Sequence, residues 1–510
     1  MSLPKTKKAK LLEQRSITIK DGLSFDDVLL EPKCGIVNSR KEVDLTCRLT
    51  KNIKLNIPIV GANMDTITEH KMAIQLAKLG GIGFLHRYCS IEEQVEMVKK
   101  VKQHTISMVQ KPIVVSKYNC MKIIQTKRLK SGINSYIVVD NNNKFEGIIT
   151  NRDFKIYEEL LKLDEHKNKE YCVKDFFTDV SNCIVCEFDN IEDANENLNL
   201  NEAKQILISN RIEKLPIIDK NRKIIGLLTM KVLEDKEHNM VNASVDKQGR
   251  LLVGAAIGVK DDYLTRAQEL VNAGVDVLLL DIAHGHSIMA EKAIRIIKTK
   301  FSNVDLIAGN VCTREGVRFL ADCGVDGIKV GVGGGSICLT RVVTGFGVSQ
   351  CTAVMECTEE AKKYRIPIIG DGAHCGKIGN IVKDLVFADT VMLGGFLSGT
   401  DETPGEILVK NNQRVKMIRG MAGLGANLSK AKRLNQNIDV SKIVPEGIEG
   451  FVPYKGPVEN IIFKICGGIR SGMSYLGVSS LQGAKSADVT LIKISQSGQR
   501  ESGAHDINLF

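Results

Sequence analysis

Eight short, dominantly apolar runs, most followed by a helical pattern, constrain this chain more than any other feature. They read IPIVGA at 57–62, IGFLH at 82–86, LLVGAAI at 251–257, VDVLLLD at 275–281, VDLIAGN at 304–310, GIKVG at 327–331, IPIIGD at 366–371 and TVMLGG at 390–395. A strand that is apolar at every position, with no in/out alternation, is buried on both faces, as in a parallel sheet covered by helices. Stretches such as 263–273 and 313–323 carry helical spacing and supply the crossovers. Eight βα units close into an α/β fold of the (β/α)8 TIM-barrel type, whose chemistry collects at the carboxyl ends of the strands. At those ends stand Asn63, Asp65, Asp281, Asn310, the Gly331 loop, Asp371 and Gly394–Gly395. The loops after strands seven and eight are the usual phosphate site of such barrels, and here they read Asp371-Gly372-Ala373 and Gly394-Gly395.

The sixth run continues into KVGVGGGSICLTR at 329–341. Glycines at 331, 333, 334 and 335 let a backbone approach an ion closely, Ser336 can donate to a phosphate, and Cys338 stands where an exposed nucleophile would be. A flexible turn followed by an ordinary buried cysteine reads the same way from this string alone.

Between the second and third runs the count is interrupted by residues 107–237, and this segment repeats itself. SYIVVDNNNKFEGIITNRD at 135–153 aligns with KLPIIDKNRKIIGLLTMKV at 214–232: strand, Asp, polar turn, Gly, strand, Thr. The expected organisation is a barrel in two parts, 1–107 and 238–510, around an inserted module at 108–237. A basic balance of +10 suits phosphorylated small substrates. The Lys-rich start (Lys5, Lys7, Lys8, Lys10) is read as a solvated terminus, so no specific nucleic-acid partner is expected. No apolar run approaches the ~20 residues of a membrane span. Fourteen scattered cysteines with no signal peptide read as reduced thiols, and the expected location is cytoplasmic.

The repeated insert resembles a pair of cystathionine β-synthase-type (CBS, or Bateman) modules, which often bind adenine or guanine nucleotides. Their Thr-x-x-Asp ribose contact is present as Thr150 and Asp153, whereas Thr229 is followed by Val232 in the second copy. The barrel resembles the IMP dehydrogenase/GMP reductase family through DGLSFDDVLLEP, ANMDT, DIAHGHS, AGNV, GVGGGSICLTR, VMLGG, GMAG, PEGIEG, VPYKG and GGIRSGM, all in order. The resemblance implies that Cys338 attacks C2 of a purine, a task suited to a thiolate, which is both nucleophile and leaving group. It implies that Ser336, Asp371, Gly372, Gly394, Gly395, Gly420 and Met421 hold the nucleotide, and that Asp281, Gly309 and Asn310 frame the nicotinamide. Asp281 as a helix cap is the plainer alternative. Gly333, Gly335 and Cys338 resemble half of a potassium loop, completed in the family by a neighbouring subunit's tail, here Glu501-Ser502-Gly503. A homotetramer, or an octamer, is therefore expected.

The two branches of the family differ after the adduct forms. A dehydrogenase hydrolyses it, using an Arg-Tyr pair on a flap. The flap at about 423–450 offers only Arg433-Leu434, and leucine cannot position water. A reductase needs a general acid for the departing amine, and Thr340 with Glu446 fits. Asn63 before Met64, Gly395 and TAVMEC at 352–357 also lean toward the reductase, and Ile418 replaces a phosphate-binding Tyr of dehydrogenases. The tail, GGIRSGM and the insert look like a dehydrogenase, and Gly423 departs from a Ser usual in both. The resemblance thus implies a GMP reductase using NADPH, regulated by purine nucleotides (ATP, GTP or GMP) at the insert. IMP dehydrogenase with NAD is the alternative. A nucleotide sensor with weak catalysis is the reading from another class.

Overall fold

A computed structural model describes residues 17–104, 112–131, 135–166, 169–190, 193–194, 198–230, 233, 242–260, 262–433, 439 and 444–503. The Lys-rich start, Val232, Leu434 and residues 508–510 lie outside the described residues. The chain divides into two compact units, one formed by Met1–Gln103 with Asn242–Phe510 and one by His104–Val241.

In the first unit each of the eight apolar runs carries a barrel strand. They are β1 (Ile59–Gly61), β2 (Ile82–Leu85), β3 (Gly254–Ile257), β4 (Val277–Asp281), β5 (Asp305–Val311), β6 (Gly327–Val330), β7 (Ile368–Asp371) and β8 (Thr390–Leu393). All neighbours are parallel, and the ring closes where β8 pairs with β1 at Val391 and Ile59. Inside the ring, Val60, Phe84, Val277, Leu279, Ile307, Ile369 and Met392 form one apolar cluster, so the barrel is filled rather than hollow.

The covering helices are α1 (His70–Lys78), α2 (Ile91–Lys102), α3 (Tyr263–Asn272), α4 (Ile288–Lys300), α5 (Arg314–Asp322), α6 (Gln350–Lys362), α7 (Ile378–Phe387) and α8 (Val458–Leu476). Helix α2 shows why these segments are helical. Ser90 and Glu93 cap it reciprocally, with Ser90 N donating to Glu93 Oε2 at 2.9 Å and Glu93 N to Ser90 Oγ at 3.1 Å. Glu92 and Glu93 occupy the first turn and Lys99, Lys100 and Lys102 the last, matching the helix dipole. Met97, Val98 and Val101 form its buried face. Among the described residues no helix is long and apolar enough to cross a membrane.

The second unit has two similar halves. One sheet joins Val114–Ser116, Tyr136–Val139, Phe145–Ile149 and Thr178–Asp179, and the other joins Cys186–Glu187, Lys214–Ile218 and Ile224–Thr229. The aligned aspartates make the same turn in both copies. Asp140 Oδ1 accepts from Asn142 N and Lys144 N, each at 2.8 Å. Asp219 Oδ1 accepts from Asn221 N at 2.9 Å and Lys223 N at 2.7 Å. Ile137, Val139 and Phe145 of one half pack with Ile218, Ile224 and Leu227 of the other in a shared core. The cysteine spacing includes one Cys-x-x-Cys, Cys183 and Cys186, and burial raises both thiols, Cys183 to about 11. Among the described residues no group of three or more His, Cys, Asp or Glu side chains is placed to hold a metal ion.

Candidate active site

The loop after β6 is folded back on itself. Cys338 N donates to Gly335 O at 3.1 Å, and Arg341 clamps the turn through Val332 O at 3.1 Å and Val348 O at 2.5 Å. Cys338 is only half-buried. Its Sγ lies 3.2 Å from Thr340 Oγ1, to which it donates, and Thr340 Oγ1 donates to Glu446 Oε2 at 2.8 Å. A thiol, a hydroxyl and a carboxylate in series form a proton path ending at an ionisable group.

Glu446 reaches this position because its backbone is held on both sides. Leu339 N donates to Glu446 O at 2.8 Å, and Glu446 N donates to Ala422 O at 3.1 Å. Ile448 N donates to Ile337 O at 3.0 Å, and Gly420 N to Ile448 O at 2.9 Å. The segment bearing Glu446 is thus stitched between the Cys338 loop and the Gly420–Met421 turn.

That turn is anchored to the barrel. Arg419 Nε donates to Asp65 Oδ2 at 3.0 Å and its Nη2 also binds Asp65, while Nη1 reaches Ser429 Oγ at 2.9 Å. Asp65 N lies 3.4 Å from Met421 Sδ. Fork-shaped pairing of this kind fixes orientation as well as position.

Beneath the loop, Lys329 of β6 is buried. Its Nζ donates to Asp371 Oδ2 at 2.9 Å and to Asp281 Oδ1 at 3.5 Å. Burial opposes the charge on this amine, but the two carboxylates outweigh it and hold its pKa above the ordinary lysine value. Asn310 Nδ2 donates to Asp371 Oδ2 at 2.9 Å and to Gly331 O at 2.6 Å. The structure therefore brings Asp281, Asn310 and Asp371 together around one buried cation. Gly309 sits where any side chain would meet the Lys329 carbonyl, at 2.5 Å.

The phosphate candidates also converge. Gly372 has φ +88°, and an added Cβ would lie 3.2 Å from Gly335 N, so this turn presses against the glycine run. A Cβ on Gly395 would lie 3.2 Å from Ser336 Oγ, and one on Gly394 would lie 3.3 Å from Met64 Sδ. The tail lies in a short helix, Gln496–Glu501, followed by Ser502 and Gly503, and Gln499 Nε2 donates to Asp26 O at 3.0 Å.

Lys329 and Arg419 were not singled out from the sequence. A lysine inside an otherwise apolar strand was a visible signal for the first. Nothing local marks Arg419, whose partner lies 354 positions away.

A family model described as the IMP dehydrogenase / GMP reductase domain matches residues 22–505. The chain belongs to this family. It is 43% identical over 496 residues to an inosine-5'-monophosphate dehydrogenase of Nitrosopumilus maritimus, covering 96% of this chain and 99% of that protein. It is 42% identical over 503 residues to a GMP reductase of Leishmania donovani, covering 96% and 98%. A Cys-to-Ala variant of Trypanosoma brucei GMP reductase, solved with guanosine 5'-monophosphate, superposes with a TM-score of 0.76 at 42% identity over 96% of this chain and 99% of that one. The family is one of oxidoreductases of purine nucleotide metabolism.

In the second unit, Thr150 and Asp153 cap the helix Asn151–Leu160. Thr150 N and Oγ1 donate to Asp153 Oδ2 at 2.7 and 2.8 Å. Both line a cleft of about 1510 Å³ together with Lys155, Arg211 and Lys214. Thr229 ends the strand Ile224–Thr229.

Proposed function

We propose that the protein is a GMP reductase, converting GMP to IMP and ammonia with NADPH. The observation that carries this reading is the path from Cys338 Sγ through Thr340 Oγ1 to Glu446 Oε2, at 3.2 and 2.8 Å. As the sulfur attacks C2 of the purine, its proton passes through Thr340 to the Glu446 carboxylate. Glu446 returns it through Thr340 to the 2-amino group, and the C2–N bond breaks with ammonia leaving. Asp371 holds the ribose, and Ser336, Gly372, Gly394, Gly395, Gly420 and Met421 hold the phosphate and base. The Asp281 carboxylate and the side-chain oxygen of Asn310 can accept from the amide of a nicotinamide carboxamide lying beside Gly309. Bound there, NADPH would supply a hydride to C2, and the Cys338–C2 bond would break to release IMP and the Cys338 thiolate.

Neutral carbonyls of Gly333, Gly335 and Cys338 suit a monovalent cation such as potassium. Glu501, Ser502 and Gly503 of a neighbouring copy complete its shell in a homotetramer or octamer. The second unit acts as a CBS pair, with purine nucleotides in the Thr150–Asp153 cleft and at Thr229. A Trypanosoma brucei GMP reductase solved with guanosine 5'-triphosphate supports this. Residues 108–237 form the regulatory domain and the enzyme works in the cytoplasm.

The Nitrosopumilus relative favours a second reading, IMP dehydrogenase with NAD. Purified protein decides between them. Oxidation of NADPH with GMP supports the reductase, and NADH formation from IMP and NAD in its absence overturns it. Turnover comparable to that of ordinary enzymes, abolished in Cys338→Ala, excludes a sensor with weak catalysis.

A further inference from the structure

Cys120 and Cys172 face each other across an isolated antiparallel bridge in the second unit. The flanking hydrogen bonds run from Met121 N to Tyr171 O at 2.9 Å and from Val173 N to Asn119 O at 3.0 Å. Neither cysteine's own amide or carbonyl spans the pair, so this is the non-hydrogen-bonded register, which brings opposite Cα atoms to about 4.5 Å and side chains closest. Disulfides form at Cα separations of roughly 4.4–6.8 Å, a range that includes this spacing. Both thiols are free and half-exposed, whereas Cys89, Cys351, Cys357 and Cys466 are buried.

The two backbones are also held firmly. Cys120 O accepts from Ile123 N at 3.1 Å and Ile124 N at 3.2 Å, at the start of the helix Met121–Ser131. Cys172 N donates to Asp175 Oδ2 at 2.8 Å, at the start of the helical turn Val173–Asp175. Tyr171 and Phe176, on either side of the second cysteine, meet edge-on at 5.4 Å between centroids. Pairing the sulfurs therefore requires side-chain rotation and no rearrangement of the chain.

We propose that Cys120 and Cys172 are a thiol–disulfide exchange site whose co-reactant is a low-molecular-weight disulfide of the glutathione class. One cysteine thiolate attacks a sulfur of the small disulfide, forming a mixed disulfide and releasing one small thiol. The second cysteine attacks the protein-bound sulfur, forming the Cys120–Cys172 bond and releasing the second small thiol. Two electrons pass from the protein to the small disulfide, and the two cysteine protons leave with the released thiols. The bond closes the chain between Cys120 and Cys172, so it stabilises the half of the unit that contains Thr178 and Thr150.

The test is titration of the full chain with reduced and oxidised glutathione at graded ratios, followed by non-reducing peptide mapping. The expected result is one cross-linked peptide pair joining Cys120 to Cys172, reversed by dithiothreitol and absent from C120S and from C172S. Melting of the oxidised protein should show its unit-two transition raised by about 5 °C or more, with no shift in C120S. Separate glutathione adducts on the two cysteines, or two thiols that stay alkylatable under fully oxidising ratios, would overturn the proposal. Serine suits both helix starts, and unchanged melting of reduced C120S and C172S verifies folding.

Discussion

Thr340 Oγ1 donates to Glu446 Oε2 at 2.8 Å across 106 positions of sequence, and the same oxygen accepts from Cys338 Sγ at 3.2 Å. This shared hydroxyl connects the thiol to the carboxylate, and the expected consequences of altering it are specific.

Cys338→Ala removes the thiol, the strongest nucleophile of this series. Turnover should fall by roughly 10³-fold or more. The side chain is half-exposed, so unfolding free energy should change by less than about 1 kcal/mol. Steady-state assay and denaturant melts on one preparation check both.

Glu446→Gln keeps the hydrogen bond from Thr340 but cannot store a proton. Ammonia release from GMP should slow by about 10²–10⁴-fold with little change in KM. Thr340→Val, which breaks the path in its middle, should give a loss of similar size. The double variant should be no slower than the worse single, because both interrupt one relay.

Lys329→Met leaves Asp281 and Asp371 facing each other without their cation. Both carboxylates keep some contact with solvent, so the cost should be about 2–3 kcal/mol, below the usual figure for a fully buried pair. The pH dependence has a definite sign. The folded pKa of Lys329 is raised, so its contribution is fully present below the unfolded value near 10.4 and is lost as pH rises through the higher folded value. Melts of wild type and variant should therefore differ by a constant amount from pH 6 to pH 9 and converge only in strong alkali.

Arg419→Lys retains charge but loses the fork on Asp65 and the bond to Ser429. The Gly420–Met421 turn and the Glu446 segment stitched to it should shift, lowering kcat/KM by on the order of 10²-fold. Asp65→Asn should do the same. A double-mutant cycle should show that the two losses do not add.

The barrel was legible because burial leaves a local trace. Strands covered on both faces are apolar at nearly every position, and each apolar run became one strand of the ring. The helices at 263–273 and 313–323 were off by a residue at their ends, where caps rather than periodicity set the limits. The duplication was legible too, since two copies of one turn need the same Asp at the same offset. Lys329 was harder: its charge contradicts its apolar surroundings, and only the carboxylates of β4 and β7 explain why it is tolerated.

By itself, then, the sequence determined the number and order of the barrel strands and the position of a thiol just after β6. These depend on residue type and spacing along a single stretch of chain. Tertiary structure decided which groups face one another: Glu446 behind Thr340, Asp65 under Arg419, Asp281 and Asp371 about Lys329, and Cys120 across from Cys172. Closure of the ring and pairing of distant segments create those contacts. Their strength depends on separations of a few ångströms, which sequence spacing does not encode.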